Sequence, residues 1–320
     1  MQRRDVLAGG VALALGLGAR AAERRYRVAL MTPGFAVMWG SPTWTSLLDE
    51  LGRRGYDEGR NLVVERYAAD GRQDDLAALA GRAVAAAPDV IVGAGRLAWH
   101  VQAATKTIPI VAISGDPIAM GLATSLARPG GNVTGVYVLE IELVKKQLQL
   151  FKEAFLGTRA AFGFWDAQAA QTWRVAVDAA PRFGIALAGV ELRDPPYDYE
   201  AAFQQVAPEY RGAMYLPTSS VFVRDAPRLA AFALRHRVIS CFSDWLIVDA
   251  GGLMSYTADR VAAARRAAEP ADRIARGVKP GDLPVEQSTR FVLKINLKTA
   301  QALGLTFPQA ILARADEVIE

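Results

Sequence analysis

The 320-residue sequence predicts an α/β protein made of two doubly wound parallel-sheet units. Short, wholly apolar runs such as VIV at 90–92 and IPIVAI at 108–113 alternate with amphipathic stretches, the pattern of parallel strands covered by helices on both faces. The alternation runs through five strands and then restarts near residue 142. The chain is also longer than one ordinary core, so two domains are expected.

In order, 27–31 reads as a strand that ends at Thr32-Pro33-Gly34, followed by a helix over 42–54. Residues 61–67 alternate as a strand, 74–86 read as a helix, 90–92 as a strand and 97–104 as a helix. The strand at 108–113 precedes Asp116-Pro117, which opens a short helix closed by Pro129-Gly130-Gly131, and 133–138 is the fifth strand. The second unit reads as helix 142–155, strand 160–165, helix 169–183, strand 186–192 and helix 200–208. Strand 213–216, helix 224–236 and strands 239–242 and 252–256 complete it. In such sheets ligands bind at the carboxyl ends of the strands, so two facing lobes would hold a cleft between them.

The ends and composition narrow the function. Arg3-Arg4, an apolar run over 6–17 and Ala19-Arg20-Ala21 form an export signal expected to be cleaved after residue 21. The run is too short to span a membrane. Arg3-Arg4-Asp5-Val6-Leu7 loosely resembles a twin-arginine signal, and an ordinary secretory signal fits as well. With no cysteine after the run, a lipid anchor is not expected, which points to a soluble periplasmic protein. Cys241, the single cysteine, reads as a buried strand thiol that forms no intramolecular disulfide. Removing the signal lowers the formal charge from +4 to about +2 without a Lys/Arg block, so nucleic acid is not an expected partner.

Three segments carry a resemblance. Residues 115–135 read GDPIAMGLATSLARPGGNVTG, 251–256 read GGLMSY, and 277–320 read GVKPGDLPVEQSTRFVLKINLKTAQALGLTFPQAILARADEVIE. With Gly55-Tyr56, Glu58-Gly59 and Asn61, they span nearly the whole mature chain. The sequence resembles the tryptophan- and tyrosine-type substrate-binding proteins of ABC transporters, which have the type I periplasmic-binding fold. That resemblance implies lobe 1 over 26–137 plus 256–284, lobe 2 over 138–255 plus 285–320, and a hinge of three crossings. It also implies a small-molecule ligand, an inner-membrane ABC permease as partner, no cofactor and no catalysis. A monomer is expected. Thr257 stands where the family has Gly, and Pro270 predicts a local break in a helix where the family has none.

Candidate ligand contacts follow from strand ends. Gly93-Ala94-Gly95-Arg96-Leu97-Ala98 fits G-x-G-x-x-A, a dinucleotide fingerprint by spacing, but on the third strand. The same residues suit a tight turn, or a carboxylate site at Gly95 with Arg96 as a bidentate partner. Ser114 and Asp116 end the 108–113 strand, and Asp116 is also suited to cap the helix after it. Trp39, Ser41 and Trp44 follow the first strand, either packing the first helix or stacking on a ligand. Trp165-Asp166, Thr218-Ser219 and Asp244-Trp245 end strands of lobe 2. Tyr256 ends its strand near a crossing, where a hinge role competes with contact. His100 and His236 have no metal-ligand spacing, and no G-x-S-x-G elbow occurs. His236 reads as a solvated helix end.

The expected function is capture of an amino acid, or an aromatic or branched carboxylate, for an ABC importer. Asp116 or Asp244 would take an ammonium, Arg96 and helix N-termini a carboxylate, and Trp side chains an apolar body. The alternatives are an exported NAD-dependent enzyme and a ligand-sensing module.

Overall fold

A computed structural model describes residues 25–320, so the expected signal at 1–21 lies outside the described residues. Six strands form the first sheet: β1 (Tyr26–Thr32), β2 (Leu62–Ala68), β3 (Val90–Ala94), β4 (Ile110–Ser114), β5 (Val133–Tyr137) and β11 (Glu286–Gln287). Their order is β11-β5-β4-β3-β1-β2, and every pair is parallel. The second sheet contains β6 (Ala160–Trp165), β7 (Ala186–Glu191), β8 (Ala213–Leu216), β9 (Ile239–Phe242), β10 (Met254–Ala258), β12 (Phe291–Asn296) and β13 (Glu317–Ile319). Its order is β13-β12-β10-β9-β8-β6-β7, with β10 and β12 its antiparallel pair.

The apolar strands are buried on both faces because their side chains alternate between two cores. In β1, Val28 and Leu30 pack with Trp44 and Leu47, whereas Ala29 and Met31 pack with Leu76, Leu97 and Val101. In β6, Ala161 joins Phe151 and Trp173 on one face, while Phe162 and Phe164 join Phe203 and Phe222 on the other. The Arg260–Ala275 helix packs on the first-sheet side, where Ala263, Ala264, Ala267, Ala268 and Ala271 form a buried stripe of small residues. That stripe lets it lie closely against the Pro42–Arg53 helix.

Several expectations change. The 115–135 segment contains no helix. Asp116 does cap a turn, with Oδ1 accepting from Ile118 N at 2.8 Å and Ala119 N at 3.1 Å. The turn stops after Met120, because Gly121 adopts a left-handed φ of +69°. The predicted break at Pro270 does not occur, and the helix runs through it. Proline removes one backbone donor, and the buried alanine stripe on this helix supplies packing that acts against the loss. Residues 286–287 pair with β5 in the first sheet, so the last passage into the second sheet follows them. His236 is half-buried, not solvated: its ring packs on Phe203 and Phe232, and Nε2 lies 2.8 Å from Glu200 Oε2. No helix among the described residues is long and apolar enough to cross a membrane.

Candidate functional site

Both sheets present the carboxyl ends of their parallel strands to one cavity of about 210 Å³. Thr32 ends β1 and Pro33 and Gly34 follow it, Gly95 and Arg96 follow β3, and Ser114 ends β4 with Gly115 after it. Opposite them lie Gln168 after β6, Thr218–Ser220 after β8 and Asp244–Leu246 after β9. The volume is below the roughly 300–1,000 Å³ of pockets for drug-sized ligands and suits a smaller molecule.

The turn after β3 brings the strand against the helix that follows: a Cβ on Gly93 would lie 3.5 Å from the backbone of Ala98, an ordinary van der Waals contact. Gly95 has φ +56° and donates its N–H to the Ile113 carbonyl at 2.9 Å. The Leu97–Ala104 helix starts here. Arg96 lies on the cavity rim, exposed; its carbonyl accepts from Trp99 N at 3.1 Å, and its guanidinium has no hydrogen bond or ion pair among the described residues. Burial, and then the charge of Arg96, lowers the pKa of His100.

A charged cluster forms another part of the wall. Arg260 Nη1 lies 3.2 Å from Asp244 Oδ2, and Arg260 Nη2 lies 2.7 Å from Glu140 Oε1. Asp244 is buried, and its Oδ1 accepts from Leu246 N at 3.0 Å, capping the Trp245–Asp249 helix. Burial pushes the Asp244 carboxyl up, and Arg260 opposes that shift. Two carboxyl groups thus share one guanidinium, a setting that can also accept a ligand ammonium. Trp245 lines the cavity beside this cluster, with Lys294 Nζ 5.0 Å from its ring centroid.

Of the sequence candidates, Ser41, Trp44, Gly95, Arg96, Ser114, Thr218, Ser219, Asp244 and Trp245 line the cavity. Five do not. Trp39 packs edge-on against Trp44, with ring centroids 4.8 Å apart, and serves the first core. Asp116 caps its turn. Trp165 packs between the two cores of the second sheet. Asp166 is buried: Oδ1 accepts from Gln168 N and Ala169 N, each at 3.0 Å, and Oδ2 accepts from Tyr197 Oη and Ser219 Oγ. It therefore positions two lining residues, Gln168 and Ser219. Tyr256 packs against Phe291, and its carbonyl accepts from Gln147 Nε2 at 2.7 Å.

Sequence reasoning missed Gln73, Glu140, Gln168 and Arg260, all of which line the cavity. Arg260 carried a usable signal: it follows Asp259, whose side chain caps the helix after β10 and fixes that helix start beside the cleft. The others lie one or more residues beyond a strand end.

Comparison with known proteins agrees with this architecture. The family model described as ABC transporter substrate binding protein matches residues 43–319. A tyrosine-binding protein of Clostridioides difficile strain R20291 is 24% identical over 257 residues, 79% of this chain and 73% of that protein. A solved conserved domain protein from Vibrio cholerae is 27% identical with a TM-score of 0.83, covering 92% of this chain and 100% of that one. The ABC domain from Streptococcus pneumoniae, solved in complex with L-Trp, is 22% identical with a TM-score of 0.78 and the same coverage. The two sheets with a cavity at their facing strand ends have the type I periplasmic-binding fold. With nearly the whole described chain matched, the protein belongs to the ABC transporter substrate-binding protein family.

Proposed function

We propose that this chain is the periplasmic receptor of an ABC importer and closes over an α-amino acid with an aromatic or branched side chain. The carrying observation is the charge arrangement of the cavity. Asp244 and Glu140 share Arg260, which leaves a place for an ammonium, while the Arg96 guanidinium, without an ion pair among the described residues, stands on the rim, ready for a carboxylate. Trp44, Ile113 and Trp245 supply apolar wall for a side chain. The relatives named for tyrosine and solved with L-Trp support the same ligand class. The dinucleotide reading of the β3 turn loses support, because the family model that matches residues 43–319 is that of a substrate-binding protein.

In this reading the two lobes rock about their crossings, with 286–287 moving with the first sheet and 254–258 with the second. The ligand acts by binding the closed state better than the open one. A permease would read the closed shape, and the N-terminal segment would direct export. Titration calorimetry against the twenty L-amino acids and their decarboxylated amines tests the proposal. Selective binding of aromatic or branched amino acids, with the amines much weaker, is expected. No binding by any L-amino acid, or turnover of NAD, would overturn it.

A further inference from the structure

Gln73 lines the cavity from a three-residue 3-10 turn, Gln73–Asp75, and its Nε2 is shut off from solvent without a hydrogen-bond partner among the described residues. Three other buried side-chain atoms share that condition: Thr158 Oγ1, Ser240 Oγ and Ser255 Oγ. All three are hydroxyls, and none of them lines the cavity. Among the described residues, Gln73 alone combines an orphaned amide donor with a place on the wall.

The turn is held firmly. Asp70 N donates to the Gly34 carbonyl at 2.9 Å, Gly71 N to the Pro33 carbonyl at 3.1 Å, and Ala36 N to Asp70 Oδ1 at 3.2 Å. Asp70 and Gly71 take left-handed φ values of +51° and +78°, which turn the chain toward the opposite lobe. There Gln168 Nε2 reaches the Gly71 carbonyl at 3.5 Å, while Gln168 Oε1 accepts from Ser220 N at 3.1 Å and Oγ at 2.9 Å. A Cβ on Gly71 would stand 3.3 Å from Val221, and Arg224 lies over the Phe35 ring at 4.5 Å. Both glutamines thus line the cavity near the seam between lobes. Gln168 has partners at both ends of its amide, whereas the Gln73 nitrogen has none.

We propose that Gln73 tests the ligand on closure: its amide donates a hydrogen bond to an acceptor oxygen of the bound solute. This inference rests on the amino-acid reading of the cavity. Closing the seam takes the amide out of water, so a solute without an acceptor at that point leaves the donor unsatisfied and is rejected. The acceptor is a carboxylate or a side-chain hydroxyl, and the choice of probes separates the two.

The test measures dissociation constants of L-tyrosine, L-phenylalanine, L-tryptophan and L-leucine for the wild type, Gln73→Leu and Gln73→Glu, with the melting temperature of each ligand-free protein. Gln73→Leu should weaken binding by about tenfold, and Gln73→Glu by more, because it turns an acceptor toward an acceptor. Ligand-free melting temperatures should stay the same, since the open cleft hydrates the side chain. An equal loss for L-tyrosine and L-phenylalanine assigns the carboxylate, and a loss confined to L-tyrosine assigns the hydroxyl. Unchanged affinities in Gln73→Leu overturn the inference, as does a lowered ligand-free melting temperature with unchanged affinity. A wild-type protein that binds none of the four overturns the ligand class and this inference with it.

Discussion

Arg260 Nη1 stands 3.2 Å from Asp244 Oδ2, joining the start of the helix packed against the first sheet to the loop after β9 of the second. The pair crosses the cleft, and Arg260 also holds Glu140, just past β5. One guanidinium therefore links both lobes and the segment between them at the cavity wall. Removing it leaves Asp244 buried beside Glu140 without a cation, an arrangement more costly than losing a surface ion pair. That cost falls on the closed arrangement, in which the pair bridges the cleft, so Arg260→Met should weaken binding of the cognate amino acid about tenfold or more, and Arg260→Lys should recover part of the loss. Calorimetry on the two variants checks this. Equal affinity in wild type and Arg260→Met would assign the cluster to the exterior of the binding event.

Arg96 has the opposite circumstance: it sits exposed at the rim and makes no ion pair with the described residues. If it meets the ligand carboxylate, Arg96→Ala should weaken an anionic or zwitterionic ligand by at least about tenfold. The affinity should also fall with added salt in the wild type and less so in the variant, because an exposed charge is screened. An unchanged dissociation constant would place Arg96 on the outer surface alone.

How far the sequence predicts this site follows from strand geometry. Parallel strands direct their carboxyl ends to one edge, so the apolar runs and their ends are enough to locate Gly95, Ser114, Thr218, Ser219 and Asp244 at the cleft. Strand ends do not say which way a side chain turns. Asp166 and Asp116 stand at strand ends too, yet both are taken up by backbone N–H groups of the following turn. Gln73, Gln168, Glu140 and Arg260 arise from turns and crossings whose placement depends on how the lobes meet, which local periodicity does not encode. The missing helix in 115–135 has a different, local origin. Its cap was legible in Asp116-Pro117, but the left-handed φ of Gly121 ends the turn before a helix can propagate.

Asp272 gives a pH-dependent prediction for the first lobe. Its carboxylate accepts from Tyr56 Oη and Arg276 Nε, each at 2.8 Å, and Arg54 lies 3.5 Å away. Burial alone would raise its pKa, but the hydrogen bonds and charges prevail and hold it below the usual 3.8. A depressed carboxylate contributes stability above its unfolded pKa, and loses it as pH falls through the folded value. Asp272→Asn should therefore cost about 2–3 kcal/mol at pH 7. The gap to wild type should shrink below pH 3.8, as read from urea unfolding across that range. A gap constant from pH 7 to pH 2 would contradict the assignment.

Cys241 lies in β9 with no exposed surface, and burial pushes its thiol up to about 12. Only the thiolate attacks a disulfide reagent, so the native protein should react with a chromogenic aromatic disulfide far more slowly than the urea-unfolded chain. The rate should change little on ligand binding, because Cys241 packs in the second-lobe core with Tyr215 and Met254 and does not line the cavity. Rapid labelling of the native protein would mean that this core opens on the experimental timescale.

Gly135 closes the 115–135 segment for a reason that belongs to the sheet. It lies in β5 opposite Ala112 of β4, with φ +142°, and a Cβ there would overlap the Ala112 carbonyl and amide. Both neighbours are backbone in a buried sheet, so neither can rotate away as a side chain would. Gly135→Ala must either part β5 from β4 or force an alanine into a φ that L-residues avoid, at a cost of about 3–5 kcal/mol. The melting temperature should fall by roughly 10 °C. Gly131→Ala is the informative control: its φ is also positive, at +70°, but nothing lies within 4 Å of the added carbon. It should carry only the backbone strain and lose about 1 kcal/mol. Equal losses in the two variants would show that φ alone sets the requirement; a much larger loss at Gly135 would show that strand contact does.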